Sequence, residues 1–279
     1  MLNILEGYPL GKLGFHSVAS LHPTLEAMLY AYADRNTHLG DPDFVNNPVK
    51  RLLSKEYAAQ IRTKIAFNRA TPPKRVYSGI ASHEGSNTTH YSIQDRSGNA
   101  VSVTYTINSY FGAGVIAGNS GFFLNNEMDD FTSKPGVPNK FRLVQGNANV
   151  IEPGKRPLSS MSPTIVTKNG EVFLVTGSPG GSTIPTTVLQ TITNVIDYKM
   201  NIATAVNAPR IHYQGLPNVA ITDPYALKPN VVQGLWEMGY RVAPFLPWGA
   251  AEFILVNPKS QMLYGTNDSR KPAGKAVAY

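Results

Sequence analysis

Apolar positions follow a helical period through roughly the first quarter of the chain and a strand period through much of the rest. Leu21, Leu25, Met28, Leu29 and Tyr32 fall on one helical face, with Pro23 suited to a first helical turn. Ser54 can cap a second helix whose Tyr57, Ile61 and Ile65 share a face. Between them Leu39-Gly40-Asp41-Pro42-Asp43 reads as a turn, so residues 1–67 are expected to be mainly helical. Residues 68–87 lose periodicity and collect Thr71-Pro72-Pro73, Ser78-Gly79, Ser82 and Gly85-Ser86, the composition of an exposed linker that tolerates cutting.

Beyond residue 87 the texture changes. His90–Gln94 and Ala100–Asn108 flank the turn Asp95-Arg96-Ser97-Gly98-Asn99 and predict a hairpin. Pro163–Thr167 and Glu171–Thr176 flank Lys168-Asn169-Gly170, a stronger hairpin signal because Asn-Gly accepts positive φ. Gly177-Ser178-Pro179-Gly180-Gly181-Ser182 leads into a helix predicted from about Ile184 to Asp197, with Pro185 near its start. Two further helices are expected near Ile202–Ala208 and Val231–Met238, the latter stopped by Gly239. Phe253–Val256 and Gln261–Tyr264 read as a last hairpin. There is no internal repeat. Helical pairs mixed with hairpins favour an α+β layered sandwich over a doubly wound parallel sheet.

With 279 residues, 42% of them hydrophobic, the chain can bury a core as one large or two modest domains. No apolar run approaches the roughly 20 residues that cross a bilayer, and Met1-Leu2-Asn3-Ile4-Leu5-Glu6 is not the start of a signal peptide. The absence of cysteine excludes disulfides, thiolate zinc sites and a Cys nucleophile, and leaves the compartment open. The net charge of +7 raises the question of nucleic acid. Residues 1–87 carry ten basic and seven acidic side chains and residues 88–279 fifteen and eleven, so the excess is spread. The densest clusters, Lys50-Arg51 and Lys74-Arg75, are only pairs, which favours a solvated basic surface.

Several segments could carry chemistry, each with an ordinary alternative. Asn87-Thr88-Thr89-His90-Tyr91-Ser92 follows the linker and opens a strand. A threonine freed as a new N-terminus carries both a nucleophilic hydroxyl and an α-amine base with a reference pKa of about 7.7–8.0; the alternative is two β-branched strand residues. His90 sits two positions on, as a base or as a satisfied structural histidine. Gly177–Ser182 lacks the Lys-Ser/Thr ending of a phosphate loop. Gly180 and Gly181 could aim backbone N–H groups at an oxyanion, or could simply make a tight turn. Asn125-Asn126-Glu127-Met128-Asp129-Asp130 could hold an ammonium group or form an acidic turn, and no histidine is placed to join Glu127 and Asp130 in a metal site. Pro157-Leu158-Ser159-Ser160-Met161-Ser162-Pro163 could hold a carboxylate or be a Ser-rich turn.

Taken together, Thr88-Thr89-His90-Tyr91-Ser92, Thr104-Tyr105-Thr106-Ile107-Asn108, Leu124 through Phe131, Lys155 through Pro163 and Gly177 through Ser182 resemble, in order, the γ-glutamyltransferases (glutathione hydrolases) of the N-terminal-nucleophile hydrolase superfamily. Residues 28–45 resemble the end of that family's large subunit. The resemblance implies a four-layer αββα sandwich, incomplete because most of the large subunit is absent. Residues 1–87 would be the large-subunit remnant and 88–279 the catalytic small subunit. It implies self-cleavage between Asn87 and Thr88, with Thr88 then taking the γ-glutamyl group and Thr106 positioning it. Asn108, Glu127 and Asp130 would hold the glutamyl α-amine, Ser159 and Ser160 its α-carboxylate, and the Gly180 and Gly181 N–H groups the oxyanion. Glutathione or another γ-glutamyl compound would be donor, with water or an amino acid or peptide as acceptor. No metal or organic cofactor, nucleic acid or membrane span is implied; family location is periplasmic or secreted.

The chain also departs from the family. The arginine that clamps the donor carboxylate belongs to the absent large-subunit portion, and no residue here is assigned its role. Thr183 and Pro185 stand where many members have an arginine and no proline; Asn267-Asp268-Ser269-Arg270 replaces a frequent Asp-Pro-Arg pattern, and Gln145 the first of two paired glycines. Three expectations follow: an enzyme that works with a separately encoded large-subunit fragment, an inactive remnant or interaction module, or a related cephalosporin-type acylase.

Overall fold

The computed structural model describes residues 1–76, 88–137, 139 and 142–278. In chain order the helices and strands begin with α1 (Leu2–Leu5), α2 (Leu10–Leu13), α3 (Val18–His38), α4 (Val49–Leu52) and α5 (Lys55–Lys64). Next come β1 (Thr88–Gln94), β2 (Ala100–Thr106), β3 (Thr164–Lys168), β4 (Glu171–Gly177), α6 (Ile184–Ile196) and α7 (Ile202–Asn207). The last are β5 (Ile211–His212), β6 (Ala220–Thr222), α8 (Pro229–Glu237), β7 (Val242–Pro244), β8 (Glu252–Val256) and β9 (Leu263–Thr266). This is the α+β class expected from the mixed periodicity. Two compact units interleave along the chain, one drawn from residues 1–84, 127–159 and 211–246, the other from 85–126, 160–210 and 247–279.

The first unit is built on α3. The Ser17 hydroxyl accepts a hydrogen bond from Ser20 N at 3.1 Å and starts the helix a turn earlier than its apolar stripe suggests. Pro23 therefore lies inside the helix instead of in its first turn, which costs one backbone hydrogen bond. Leu25, Met28, Leu29 and Tyr32 are fully buried. Tyr32 packs on Leu143 and meets the His212 ring edge-on at 5.5 Å between centroids. Ser54 caps α5 as expected, accepting from Tyr57 N at 3.1 Å. The small sheet β5-β6-β7 pairs β6 with β7 in parallel, and α8 is the crossover between them. Gly239, at φ +98°, ends α8 where the sequence places its stop. Strands of two or three residues carry no readable alternation, so this sheet left no signature in the pattern.

The second unit contains the predicted hairpins. β1 and β2 pair antiparallel with Thr88 opposite Thr106. β3, β4, β8 and β9 form an antiparallel sheet in that order, and Asn169 and Gly170 take positive φ at the β3–β4 turn. One face of this sheet puts Leu174 and Phe253 against Ile184, Val188 and Ile192 of α6 and Val206 of α7. Fully burying such a side chain contributes about 1.5–3 kcal/mol, so this cluster anchors the end of β4 and the glycine loop that follows it. The β1–β2 hairpin packs along β4, where Ser102 Oγ donates to Thr176 O at 2.9 Å and accepts from Thr164 N at 3.0 Å. Among the described residues no helix is long and apolar enough to cross a membrane.

Candidate active site

In the second unit, Thr88 is the first residue of β1, and its hydroxyl donates to Thr106 Oγ1 across the hairpin at 3.1 Å. Thr106 Oγ1 also accepts from Asn108 N at 2.8 Å, which fixes the acceptor that orients Thr88. Asn87 lies outside the described residues. Asn108 is buried and holds a left-handed φ of +71°, a conformation asparagine tolerates better than most residues. Asn126 secures it. Asn126 O accepts from Asn108 Nδ2 at 3.1 Å, while its side chain accepts from Ser109 N at 3.0 Å and donates to Ser109 Oγ at 2.9 Å. The motif around Asn126 was visible in the sequence, but its partners are seventeen and eighteen residues away and could not be read from it.

His90 shares a strand with Thr88 but is wedged in the interior. Its Nδ1 lies 2.8 Å from Thr104 Oγ1 and its Nε2 3.1 Å from Ser92 Oγ. A Cβ on Gly177 would sit 2.2 Å from the His90 ring, so the absence of a side chain there lets β1 approach β4. Burial pushes the imidazole pKa down to about 4. The ring is thus a neutral packing element whose two nitrogens both have hydroxyl partners.

Past the end of β4, Gly180 and Gly181 take φ of +141° and +55°. Gly180 O accepts from Thr183 N at 3.0 Å and from Thr183 Oγ1 at 2.7 Å, so Thr183 secures the carbonyl side of the turn. A Cβ on Gly180 would come within 2.6 Å of that hydroxyl. Two successive glycine N–H groups therefore precede α6, where the helix dipole favours negative charge. Ser160, part-buried in this unit, precedes Ser162, whose hydroxyl donates to Ser160 O at 3.0 Å.

In the first unit, Glu127–Asp130 forms a single 3-10 turn. Burial, then the neighbouring Glu127 charge, pushes the Asp130 carboxyl up to about 8, while Arg35 draws it the other way. Asn149 supports this turn: its Nδ2 donates to Asp130 O at 2.7 Å and its Oδ1 accepts from Leu158 N at 2.9 Å, tying the acidic turn to the segment that carries Ser159. Arg35 Nη2 donates to Leu158 O at 3.4 Å. Ser159 itself is exposed. The structure therefore brings together Thr88, Thr106 and Asn108 in one unit and Glu127 and Asp130 in the other. Asn149 and Arg35 are supporting residues that sequence reasoning missed, and Asn126, named there only as part of the acidic cluster, supports Asn108.

These motifs and their geometry match one family throughout: the sequence profile described as gamma-glutamyltranspeptidase covers residues 1–278. The chain belongs to the gamma-glutamyltranspeptidase family. It is similar to the glutathione hydrolase proenzyme of Pseudomonas sp. (strain A14), 52% identical over 100% of this chain and 50% of that protein. The glutathione hydrolase proenzyme of Escherichia coli (strain K12) is 50% identical over 100% of this chain and 48% of that protein. The chain thus spans about half the length of the curated relatives it matches. Among solved structures, a chain of Helicobacter pylori gamma-glutamyltranspeptidase (T380A mutant) aligns with 66% of this chain and all of its own length, at TM-score 0.64 and 56% identity. Cephalosporin acylase from Bacillus halodurans covers more of this chain, 96%, and 46% of its own, at TM-score 0.78 but only 25% identity. The fold is that of the N-terminal-nucleophile hydrolases, and the higher identities lie with the glutathione hydrolases.

Proposed function

We propose that this chain is the catalytic half of a γ-glutamyl acyltransferase and hydrolase acting on glutathione and other γ-glutamyl amides. The observation that carries the reading is the placement of Thr88 at the start of β1, with its hydroxyl donating to Thr106 Oγ1 and that oxygen held by Asn108 N. In the precursor, Thr88 Oγ1 attacks the Asn87 carbonyl carbon. The Asn87–Thr88 C–N bond breaks as an ester to Thr88 Oγ1 forms, and water hydrolyses that ester. The products are residues 1–87 and a chain 88–279 with a free Thr88 α-amine.

In turnover the Thr88 hydroxyl attacks the γ-carbonyl carbon of the donor and its proton passes to the α-amine. The amine then protonates the leaving nitrogen, and water or an acceptor amine cleaves the γ-glutamyl ester. The N–H groups of Gly180 and Gly181 stabilise the oxyanion; losing one such donor typically costs about 10²–10³ in kcat. Asn108, Glu127 and Asp130 take the donor α-amine and Ser159 and Ser160 its α-carboxylate, as the matched motifs suggest. The carboxylate-clamping arginine belongs to the half of the relatives that this chain does not span. No step calls for a metal or organic cofactor.

Purified chain should break at Asn87–Thr88, detected by intact mass, and hydrolyse a γ-glutamyl anilide once supplied with a large-subunit fragment. A chain that stays whole and inert with that fragment present overturns the reading. A second expectation concerns pH. Burial and the neighbouring Glu127 charge raise the Asp130 carboxyl, so it must give up its proton to pair with an ammonium group. The KM for the γ-glutamyl donor should therefore fall as pH rises from 6.5 to 8.5, as the carboxylate forms. Asp130→Asn should raise KM and flatten the profile. A pH-independent KM in the unsubstituted enzyme would remove Asp130 from amine binding.

A further inference from the structure

The first unit holds a buried polar network outside the residues assigned to catalysis. Glu26 in α3 is fully buried, and its Oε1 accepts from Tyr240 Oη at 2.7 Å and from Thr71 N at 2.9 Å. His22 Nδ1 lies 2.7 Å from the same Tyr240 hydroxyl, and His22 Nε2 lies 2.7 Å from Ala66 O. Beside them Ala70 N donates to Met238 O at 2.6 Å. His22 and Tyr240 are buried as well.

Hydrogen counting gives this network an unusual economy. Ala66 O can only accept, so His22 Nε2 carries a proton. One proton is then needed between His22 Nδ1 and Tyr240 Oη and another between Tyr240 Oη and Glu26 Oε1. Tyrosine supplies one of the two. The other resides on His22, giving a charged pair, or on Glu26, giving a neutral one, and all contacts are made in either arrangement. Removing the tyrosine hydroxyl leaves both flanking groups without their shared partner in the interior, where an unmet polar group is costly.

Resting on the cleavage proposed above, the positions of these residues acquire a second meaning. His22, Glu26, Ala66, Ala70 and Thr71 belong to residues 1–87, whereas Met238 and Tyr240 belong to residues 88–279. We propose that the His22–Tyr240–Glu26 network is the buried lock that retains residues 1–87 on residues 88–279 after the chain is cut. Other polar contacts also join these segments, among them Arg35 to Leu158 O, Gly146 N to Asn36 O, and Arg156, 64% exposed, to the buried Asp41 carboxylate and exposed Asp43. The His22–Tyr240–Glu26 network differs from them in joining three buried side chains, and buried anchors dominate the affinity of an interface.

The test uses the full chain with a specific-protease site in place of residues 80–85, cut after folding, so that it does not depend on self-cleavage. Dissociation of the piece N-terminal to that cut is followed on dilution. Tyr240→Phe should raise the dissociation constant at least about 30-fold. Glu26→Gln should also weaken retention, because Tyr240 Oη and Thr71 N meet on one oxygen, Oε1, and a single amide atom there cannot both donate to the tyrosine and accept from Thr71 N. In the uncut Tyr240→Phe chain, hydrogen exchange at the Ala70 and Thr71 amides should accelerate while the second unit is unchanged. Retention of that N-terminal piece by cut Tyr240→Phe with unaltered affinity, or unaltered exchange at those two amides, overturns the lock. Failure of the unsubstituted chain to cut itself counts against the proposed function alone.

Discussion

Thr88→Ala should leave the chain whole and lower γ-glutamyl anilide turnover by at least about 1,000-fold. The alanine retains the strand position and its backbone pairing opposite Thr106, so the loss falls on chemistry and the fold is kept. Without Oγ1 there is no attack on the Asn87 carbonyl, hence no free α-amine, and no oxygen to carry the γ-glutamyl ester. Thr88→Ser keeps the hydroxyl and should still cut and turn over. Thr106→Ala removes the hydroxyl that accepts from Thr88 and from Asn108 N, together with its neighbouring methyl, so it should slow both processes without abolishing either. Intact mass and anilide kinetics on the three variants, with the large-subunit fragment present, check the set. A Thr88→Ala chain cut at the same bond at the unsubstituted rate would remove Thr88 from the mechanism.

The largest loss of stability is expected from Arg210→Met. Arg210 and Asp268 form an ion pair with side chains 3% and 0% exposed. Arg210 also donates to Trp248 O at 2.7 Å and to Val206 O at 3.0 Å, at the end of α7. Asp268 Oδ2 accepts from Ala251 N at 3.0 Å, and Arg270 donates to Oδ1 at 3.0 Å. Burial raises the Asp268 pKa, and the Arg210 charge, the Arg270 backbone N–H, the Arg270 charge and the Ala251 backbone N–H together more than reverse it, so the carboxyl stays below its ordinary value. A depressed carboxyl pKa stabilises the fold above the unfolded pKa, and that contribution is lost as pH falls through the folded one.

Methionine fills much of the arginine volume but leaves Asp268 with one cation and takes the Arg210 donor from Trp248 O and Val206 O, the latter keeping only Arg270 Nη1 at 3.4 Å. Breaking a buried pair from one side costs about 3–5 kcal/mol, a fall of roughly 10 °C in melting midpoint. The damage should reach the glycine loop. Ala250 N donates to Ser178 Oγ at 3.0 Å, and Gly249 lies against the position a Gly180 Cβ would take, so the Trp248–Ala251 segment that Arg210 secures also braces the turn before α6. Thermal unfolding together with kcat measures both effects. A variant within about 0.5 kcal/mol of the unsubstituted chain would show that the pair is dispensable.

Elements with a strong local signal were legible before any coordinates. Ser54 capped its helix, Asn169-Gly170 made its turn, Gly239 stopped α8, and both long hairpins formed, because caps and turns are settled by residues a few positions apart. Pro23 misled, since its helix begins at Ser17, outside the apolar stripe. The β5-β6-β7 sheet was invisible because strands so short have no period, and the parallel pairing of β6 with β7 depends on the α8 crossover. The candidate site divides in the same way. The identities of Thr88, Thr106, Asn108, Glu127, Asp130 and the two glycines are written in contiguous motifs, whereas Asn126, Asn149 and Arg35 act on partners far along the chain.

By itself, then, the sequence determined the α+β texture, the hairpins and the threonine at the head of β1, since these follow from short-range periodicity, turn chemistry and motif order. The tertiary structure alone decided which titratable groups are charged and what they hold. It wedged His90 as a neutral group against Gly177, raised the Asp130 carboxyl toward neutrality, and buried Glu26 against the Tyr240 hydroxyl that His22 also contacts. Ionisation and hydrogen-bond partnership depend on burial and on distances through space, and neither is written in the order of residues along the chain.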